Sequence, residues 1–371
     1  MEGLEEAQAI YNQSFIECPA ILDKHKGAAA ICDAALEKAV ALCVAGADVG
    51  AVCAQVDAFV EEEVTKVFSS KKSKKLERGI SFPCCISVNE ICGHFSPCPE
   101  DTLALKDGDL VKVEVGAHID GFSGNAAHSL VVGGKAEGKK ADVLLAAYNA
   151  FLAAQRQIRV GSLNQEVTQR IQAVCEAYGV EPLQGVLSHK MKKDLVDGNE
   201  VIINKETPEQ RVEDWEFAPG DVVGLDVYVT SGEGLVREGD YRTTVYKREL
   251  DQQYNLKSKS ARAFFSIVNQ KYPTLPFSIR GFEDLTAAKV GVKECLNHDL
   301  LMGYPVLVDK PGEFVAQFKA TIAVQPRSTA ILCGAKALNT EGLKSDKSIK
   351  DEALKTLISS DLWKKEKEAK K

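Results

Sequence analysis

Residues 109–132, DLVKVEVGAHIDGFSGNAAHSLVV, constrain the fold more than any other stretch. Val111, Val113 and Val115 alternate with Lys112 and Glu114, the period-2 pattern of a strand. Asp120-Gly121 supplies a turn signal, because glycine tolerates the positive φ that tight hairpins need. A second alternating run follows from Asn125 to Val132. A two-residue loop at Ile119-Asp120 makes Glu114 and Asn125 cross-strand partners on one face, with Cβ atoms roughly 5 Å apart. Two carboxylates placed so could share a metal ion. This chain offers one carboxylate and one neutral amide.

The 371 residues can bury a sizeable core as one large domain or two lobes. With 45% hydrophobic and 27% charged residues, the composition is that of a soluble globular protein. No apolar run reaches the ~18 residues of a membrane span. The acidic start MEGLEEAQAIY lacks the basic and apolar regions of a secretory signal. Eleven cysteines, an odd count, in a long chain of this kind point to reduced thiols of a cytosolic or nuclear protein. Cys84, Cys85, Cys92 and Cys98 lie close together but lack the CxxC pairing that zinc favours, so they read as buried thiols. The net charge of −7 excludes a generally basic nucleic-acid binder, yet the cations are clustered. Lys71, Lys72, Lys74, Lys75 and Arg78 form one cluster, and Lys190, Lys192 and Lys193 a second. Lys364, Lys365, Lys367, Lys370 and Lys371 form a third.

Ile31, Ala35, Ala39, Leu42 and Cys43 predict an amphipathic helix ending near Gly46; Val52, Val56, Phe59, Val60, Val64 and Phe68 predict another. Residues 69–78 then read as an exposed basic loop, and 80–88 as a strand. After the hairpin, 141–159 reads as a helix, Ser162 as the N-cap of the next, and Gly179 as its terminator. Strands are expected at 221–231, 242–248 and 313–324, with a short last one near Ile331. Helices are expected at 262–272 and 282–301, and a final helix at 352–362 that frays into a charged tail. On the 313–324 strand, Phe314, Ala316, Phe318, Ala320 and Ile322 share one face, and Gln317, Lys319 and Thr321 the other.

His94 in GHFSP, Glu114 and Asn125 in the hairpin, His189 in SHKMKK, Asp226 in GDVVGLDVYVTSGEG and Lys319 in FVAQFKATI lie in separated segments. In order and content these segments resemble those of type-II methionine aminopeptidases, over most of the chain to Val324. The resemblance implies an α+β pita-bread (creatinase-like) fold over residues 1–330. It implies a helical insert at about 254–307, leaving the 69–78 loop and the 343–371 tail as charged additions. It also assigns roles. The hairpin matches the segment with the first two metal-ligand aspartates, SHKMKK the ligand histidine, and the last two segments ligand glutamates. GHFSP matches the segment of a substrate-side histidine.

Chemistry tests that carry-over. A two-metal hydrolase needs hard cations bridged by carboxylates, a neutral imidazole and an activated water. Glu114, His189 and Asp226 keep a carboxylate or imidazole, but Asn125 loses a charge. Lys319 puts an ammonium where a bridging glutamate should be. A cation ~3–4 Å from a divalent ion repels it by several kcal/mol even at an effective dielectric near 20. The expectation is therefore a degenerate site with no metal and no cofactor, Lys319 pairing with Glu114 or Asp226. The same departures resemble those of the proliferation-associated, ErbB-receptor-binding proteins, a family with the aminopeptidase fold and no activity. ISVNEICGHFSP, GDLVKVEVGAHIDGF, RTTVYKRE, SARAFFS and GEFVAQFK match it. Glu114 stands where that family usually has aspartate, and KKEKEAKK replaces a longer pure lysine run.

This resemblance implies a monomer that binds ribosomal and other structured RNA on the large ribosomal subunit, near the nascent-chain exit. It places the protein in cytoplasm and nucleus or nucleolus, linked to growth and translation or ribosome biogenesis, with the insert and tail as surfaces for other protein partners. The candidate RNA contacts are Lys71, Lys72, Lys74, Lys75, Arg78, Lys257, Lys259, Arg262, Lys364, Lys365, Lys370 and Lys371. Lysine and arginine neutralise phosphates without reading sequence, which suits structured RNA. Two alternatives remain open at this point. One is a residual methionine aminopeptidase using a single metal on Glu114, His189 and Asp226. The other is a protein-interaction scaffold whose basic loops only solubilise it.

Overall fold

A computed structural model describes residues 13–69 and 76–365. Of the candidate RNA contacts, Lys71, Lys72, Lys74, Lys75, Lys370 and Lys371 lie outside the described residues. Helix α1 (Pro19–Leu42) and helix α2 (Val49–Lys66) precede strands β1 (Arg78–Val88), β2 (Leu110–Ile119) and β3 (Phe122–Val131). Helices α3 (Lys139–Gln157) and α4 (Asn164–Tyr178) then precede β4 (Leu187–Met191), β5 (Val201–Ile203) and β6 (Val222–Thr230). Helices α5 (Lys259–Lys271) and α6 (Leu285–Leu296) lie in the segment expected as an insert, and β7 (Val315–Gln325), β8 (Ser328–Cys333) and α7 (Glu352–Ser359) follow.

The central sheet runs β1-β2-β3-β7-β6-β4-β5, with β8 on β7 and a two-residue strand, Glu181–Pro182, on β6. Its ladders are antiparallel. Val111, Val113 and Val115 of β2 bury against α1 and α2. Val223, Leu225 and Val227 of β6, with Ala316, Phe318 and Ala320 of β7, bury against α3 and α4. Strand alternation then turns Glu114, Asp226 and Lys319 to the opposite face, so all four helices cover one side and the site occupies the other.

The hairpin departs from the expected register. Both Asp120 (φ 54°) and Gly121 (φ 76°) take positive φ, so they are the two loop residues and Ile119 pairs with Phe122. Glu114 therefore faces Ala127, and Asn125 faces Gly116. A shift of two residues preserves side-chain parity, so Glu114 and Asn125 still share a face, as diagonal neighbours. Gly116 is required there: a Cβ would stand 2.1 Å from Asn125 Oδ1.

Other boundaries are corrected as well. Ser162 does not cap α4; its hydroxyl donates to Gln157 O at 2.7 Å, and Glu166 Oε2 accepts from the Leu163 N–H at 3.0 Å. Gly179, at φ 64°, does terminate that helix. The second insert helix stops at Leu296, and Leu301–Tyr304 is a strand pairing with Val245–Arg248. As far as Lys365, the end of the described residues, the tail stays held after α7. Thr329 N–H donates to Trp363 O at 3.0 Å and Lys365 N–H to Arg327 O at 2.8 Å, docking it on the β7–β8 turn. Cys84, Cys85, Cys92 and Cys98 are all buried. Among the described residues no helix is long and apolar enough to cross a membrane.

Candidate functional site

Pairing register builds the site. Asp226 of β6 pairs with Lys319 of β7, Lys319 with Ala127 of β3, and Ala127 with Glu114 of β2. The four residues thus form one row across the sheet. Ala127 has only a methyl group, so the lysine stem passes over it. Lys319 Nζ reaches Glu114 Oε1 at 2.6 Å on one side and Asp226 Oδ2 at 3.0 Å on the other. Gln317, on the same face of β7, donates to Asp226 Oδ1 at 3.0 Å.

Both carboxylates are buried. For Lys319, burial favours the neutral amine, but the Asp226 and Glu114 charges outweigh it and hold the ammonium protonated well above the usual lysine range. Burial raises Glu114, while the Lys319 charge and hydrogen bond overcome it and leave the carboxyl below its ordinary value. Asp226 is pushed up to about 6 by burial, with Lys319 opposing and the Glu114 charge adding. Two carboxylates share one ammonium, and Asp226 carries the cost of the excess negative charge.

The triad floors a cavity of about 230 Å³ whose walls include Phe82, His94, His189, Asp197, Tyr304 and Leu307. His94 Nδ1 faces Pro305 O at 2.9 Å, and His189 Nδ1 faces Gly198 O at 2.8 Å. A carbonyl at Nδ1 requires the proton there and leaves Nε2 as a lone pair. Burial lowers both imidazoles below the usual histidine value. Asn125 lines the cavity but does not join the triad; its Oδ1 accepts from the Ser81 hydroxyl.

Several participants had no sequence signal strong enough to single them out. Asp197 pairs with Lys247 at 2.6 Å and lies 3.4 Å from the Tyr304 hydroxyl, tying a loop to the insert. The Phe82 ring stands 5.6 Å from Lys319 Nζ, close enough for a cation–π contact. Gln317 was the one within reach, since it sits two residues from Lys319 on the polar face.

The donor set does not fit a pair of divalent metals. Both carboxylates are engaged by an ammonium, and the amide at Asn125 is turned to a serine. Among the described residues, no group of three or more His, Cys, Asp or Glu side chains could hold a metal ion.

The described RNA candidates occupy separate elements. Arg78 opens β1 and donates to Phe68 O at 2.7 Å. Lys257 and Lys259 are exposed at the start of the insert, and Arg262 donates to Leu256 O and Lys257 O at 3.0 and 2.6 Å. Lys364 and Lys365 are exposed where the tail docks on the β7–β8 turn. Of the second basic cluster, Lys190 is taken up by Asp221 at 2.8 Å and Glu200 at 2.9 Å.

This fold and this row of residues define a class: the chain belongs to metallopeptidase family M24, whose model matches residues 23–244, and within it to the proliferation-associated, ErbB-3-binding group. It is 40% identical to proliferation-associated protein A of Dictyostelium discoideum, over 95% of this chain and 92% of that protein. It is also 40% identical to the ERBB-3 binding protein 1 of Arabidopsis thaliana, over 84% of this chain and 79% of that one. Among solved structures, a thermophilic Arx1 superposes with a TM-score of 0.85 at 27% identity, covering 93% of this chain and 99% of its own. The pita-bread fold expected from the resemblance is the fold observed.

Proposed function

We propose that the chain is a non-catalytic member of its family that binds structured RNA on the large ribosomal subunit through lysine-rich segments. The observation that carries the first half is the Lys319 ammonium, seated between Glu114 and Asp226 at 2.6 and 3.0 Å. A metal-activated water needs an open cation with carboxylate ligands, and here the protein's own cation holds those ligands. The second half is supported by charge placement: a chain of net charge −7 concentrates cations in the 71–78 segment, the insert and the tail. The resemblance implies the partner, large-subunit RNA near the nascent-chain exit, and the compartments, cytoplasm with nucleus and nucleolus. The protein acts as a monomer and takes no cofactor.

Co-sedimentation with purified large ribosomal subunits in rising salt tests the RNA reading. Each neutralised phosphate contributes roughly −0.7 to −0.9 to the slope of log K against log salt. Reversing Lys71, Lys72, Lys74 and Lys75 to glutamate is expected to cut binding by about a hundredfold at near-physiological salt and to flatten that slope by about 3. Binding that survives the reversal with no salt dependence would leave only a scaffold without RNA contact.

A further inference from the structure

Away from the pocket, α5 and α6 leave an apolar groove between them. Its floor is aromatic: Phe264 of α5 is buried, and the Phe282 ring lies 5.0 Å from it. Gly291 lets the helices meet there, since a Cβ at that position would stand 2.5 Å from the Phe264 side chain. Of the α6 residues, only Ala287 and Ala288 line the groove, and such small side chains leave space that larger ones would fill. The space amounts to about 360 Å³ and runs along α5 from Ser260 to Lys271. At a rise of 1.5 Å per residue that stretch is ~16 Å long, about three helical turns. Ile267 stands on the rim, 41% exposed. It is one of five large hydrophobic side chains exposed within 254–307, against eleven exposed among all the described residues, so exposed apolar surface is concentrated here.

Charge differs across the groove. From Lys257 to Lys271 the chain carries Lys257, Lys259, Arg262 and Lys271 and no Asp or Glu. Lys271 lines the groove on that wall, and Glu283 and Asp284 line it on the other, where α6 begins. Asp284 caps α6 by accepting from the Ala287 N–H at 2.9 Å, and Glu283 is exposed. Neither Lys271 nor Glu283 makes a salt bridge among the described residues, so both charges are open to a partner.

We propose that this groove docks an amphipathic helix of a partner protein, one whose apolar stripe has acidic side chains along one flank and basic side chains along the other. A groove about three turns long takes apolar anchors spaced along one helix face, the helix-in-groove mode of recognition. The acidic flank lies along α5, and the basic flank meets Glu283 and Asp284. Burial of the anchors supplies the attraction, and like charges against either wall reject helices with the wrong flanks. A nucleic-acid backbone is kept from the far wall, where its phosphates would meet Glu283 and Asp284.

Fluorescence anisotropy on the full-length protein tests this with three labelled helical peptides that share one leucine stripe. Their flanks are acidic on one side and basic on the other, acidic on both, or basic on both. The mixed-flank peptide is expected to bind about fivefold or more tightly than either of the others. Ile267→Glu puts a charge on the rim, and Ala263→Trp fills the groove from an exposed position of α5. Each should weaken that binding by about tenfold or more, while circular dichroism and co-sedimentation with large ribosomal subunits stay unchanged. Glu283→Lys should move the preference to the all-acidic peptide. No binding of the mixed-flank peptide, equal binding of all three, or binding that survives both groove variants overturns the proposal. Loss of ribosomal-subunit binding in those variants, with no peptide bound, also overturns it and gives the face to RNA. A self-association that the variants abolish overturns it in favour of a second copy of this chain.

Discussion

Replacing Lys319 with methionine is expected to lower the unfolding free energy by about 3–5 kcal/mol at pH 7.5, because it strands two buried carboxylates without their cation. Methionine matches the lysine stem as far as Cε, so packing over Ala127 changes little and the loss reports charge. Neutralising the carboxylates in the same background, with Glu114→Gln and Asp226→Asn, should restore most of it, since a buried ion pair and a well-packed neutral replacement are often of similar stability. The Lys319→Met deficit should also shrink at pH 5. Asp226, already at about 6 beside the lysine, takes up a proton there and removes the uncompensated charge. Urea unfolding of the single and triple variants at both pH values measures all three expectations. A single-variant loss below about 1 kcal/mol would mean that the triad behaves as a surface ion pair.

Acid is the second large lever. Burial holds His25, His118 and His128 down at about 4, against an ordinary value of 6.5, and lowers His94 and His189 as well. In the unfolded chain these imidazoles protonate near pH 6.5; in the folded chain they do not until the pH is far lower. Their contribution is present above pH 6.5 and lost as the pH falls toward 4. For a fully buried group such as His25 or His128 the loss approaches about 3 kcal/mol by pH 4. Asp226 acts in the opposite sense: its raised pKa favours the folded state as pH falls from about 6 toward the ordinary carboxylate value of 3.8. Burial raises Asp33 and Asp57 in the same sense as Asp226, but five histidines outweigh three aspartates, so stability should drop by several kcal/mol between pH 6.5 and 4.5, a large share of a typical domain's total. The urea midpoint across that range tests it, and a flat or rising curve would contradict it. His128→Phe, which keeps a ring against Phe318, should reduce the slope.

The alternation at Val111, Val113 and Val115 was enough to place a strand and its buried face, because period 2 is written locally. The register was not, since both candidate loops, Ile119-Asp120 and Asp120-Gly121, preserve parity. What decides between them is the positive φ of Asp120, a single-residue choice that the pattern does not encode. The Lys319 row was legible only through resemblance to a family. Nothing local says that β7 lies between β3 and β6, and that long-range order is what brings a lysine from one end of the chain to a glutamate 205 residues away. Asp197 and Tyr304 stayed hidden for the same reason: one sits in an irregular loop, the other on a short insert strand, and neither belongs to a periodic run. The cap of α4 was misplaced by one residue because Ser162 spends its hydroxyl on the preceding turn.

On the proposed reading, Lys319 occupies the position a catalytic metal would need. Metal analysis of the purified protein, coupled to an assay of Met-Ala-Ser hydrolysis with manganese, cobalt or zinc added, tests it most directly. The expected result is no stoichiometric divalent metal and no turnover, with the stability of the protein unchanged by chelator. One or more tightly bound metals per chain, with release of methionine, would contradict it and return the protein to its peptidase relatives.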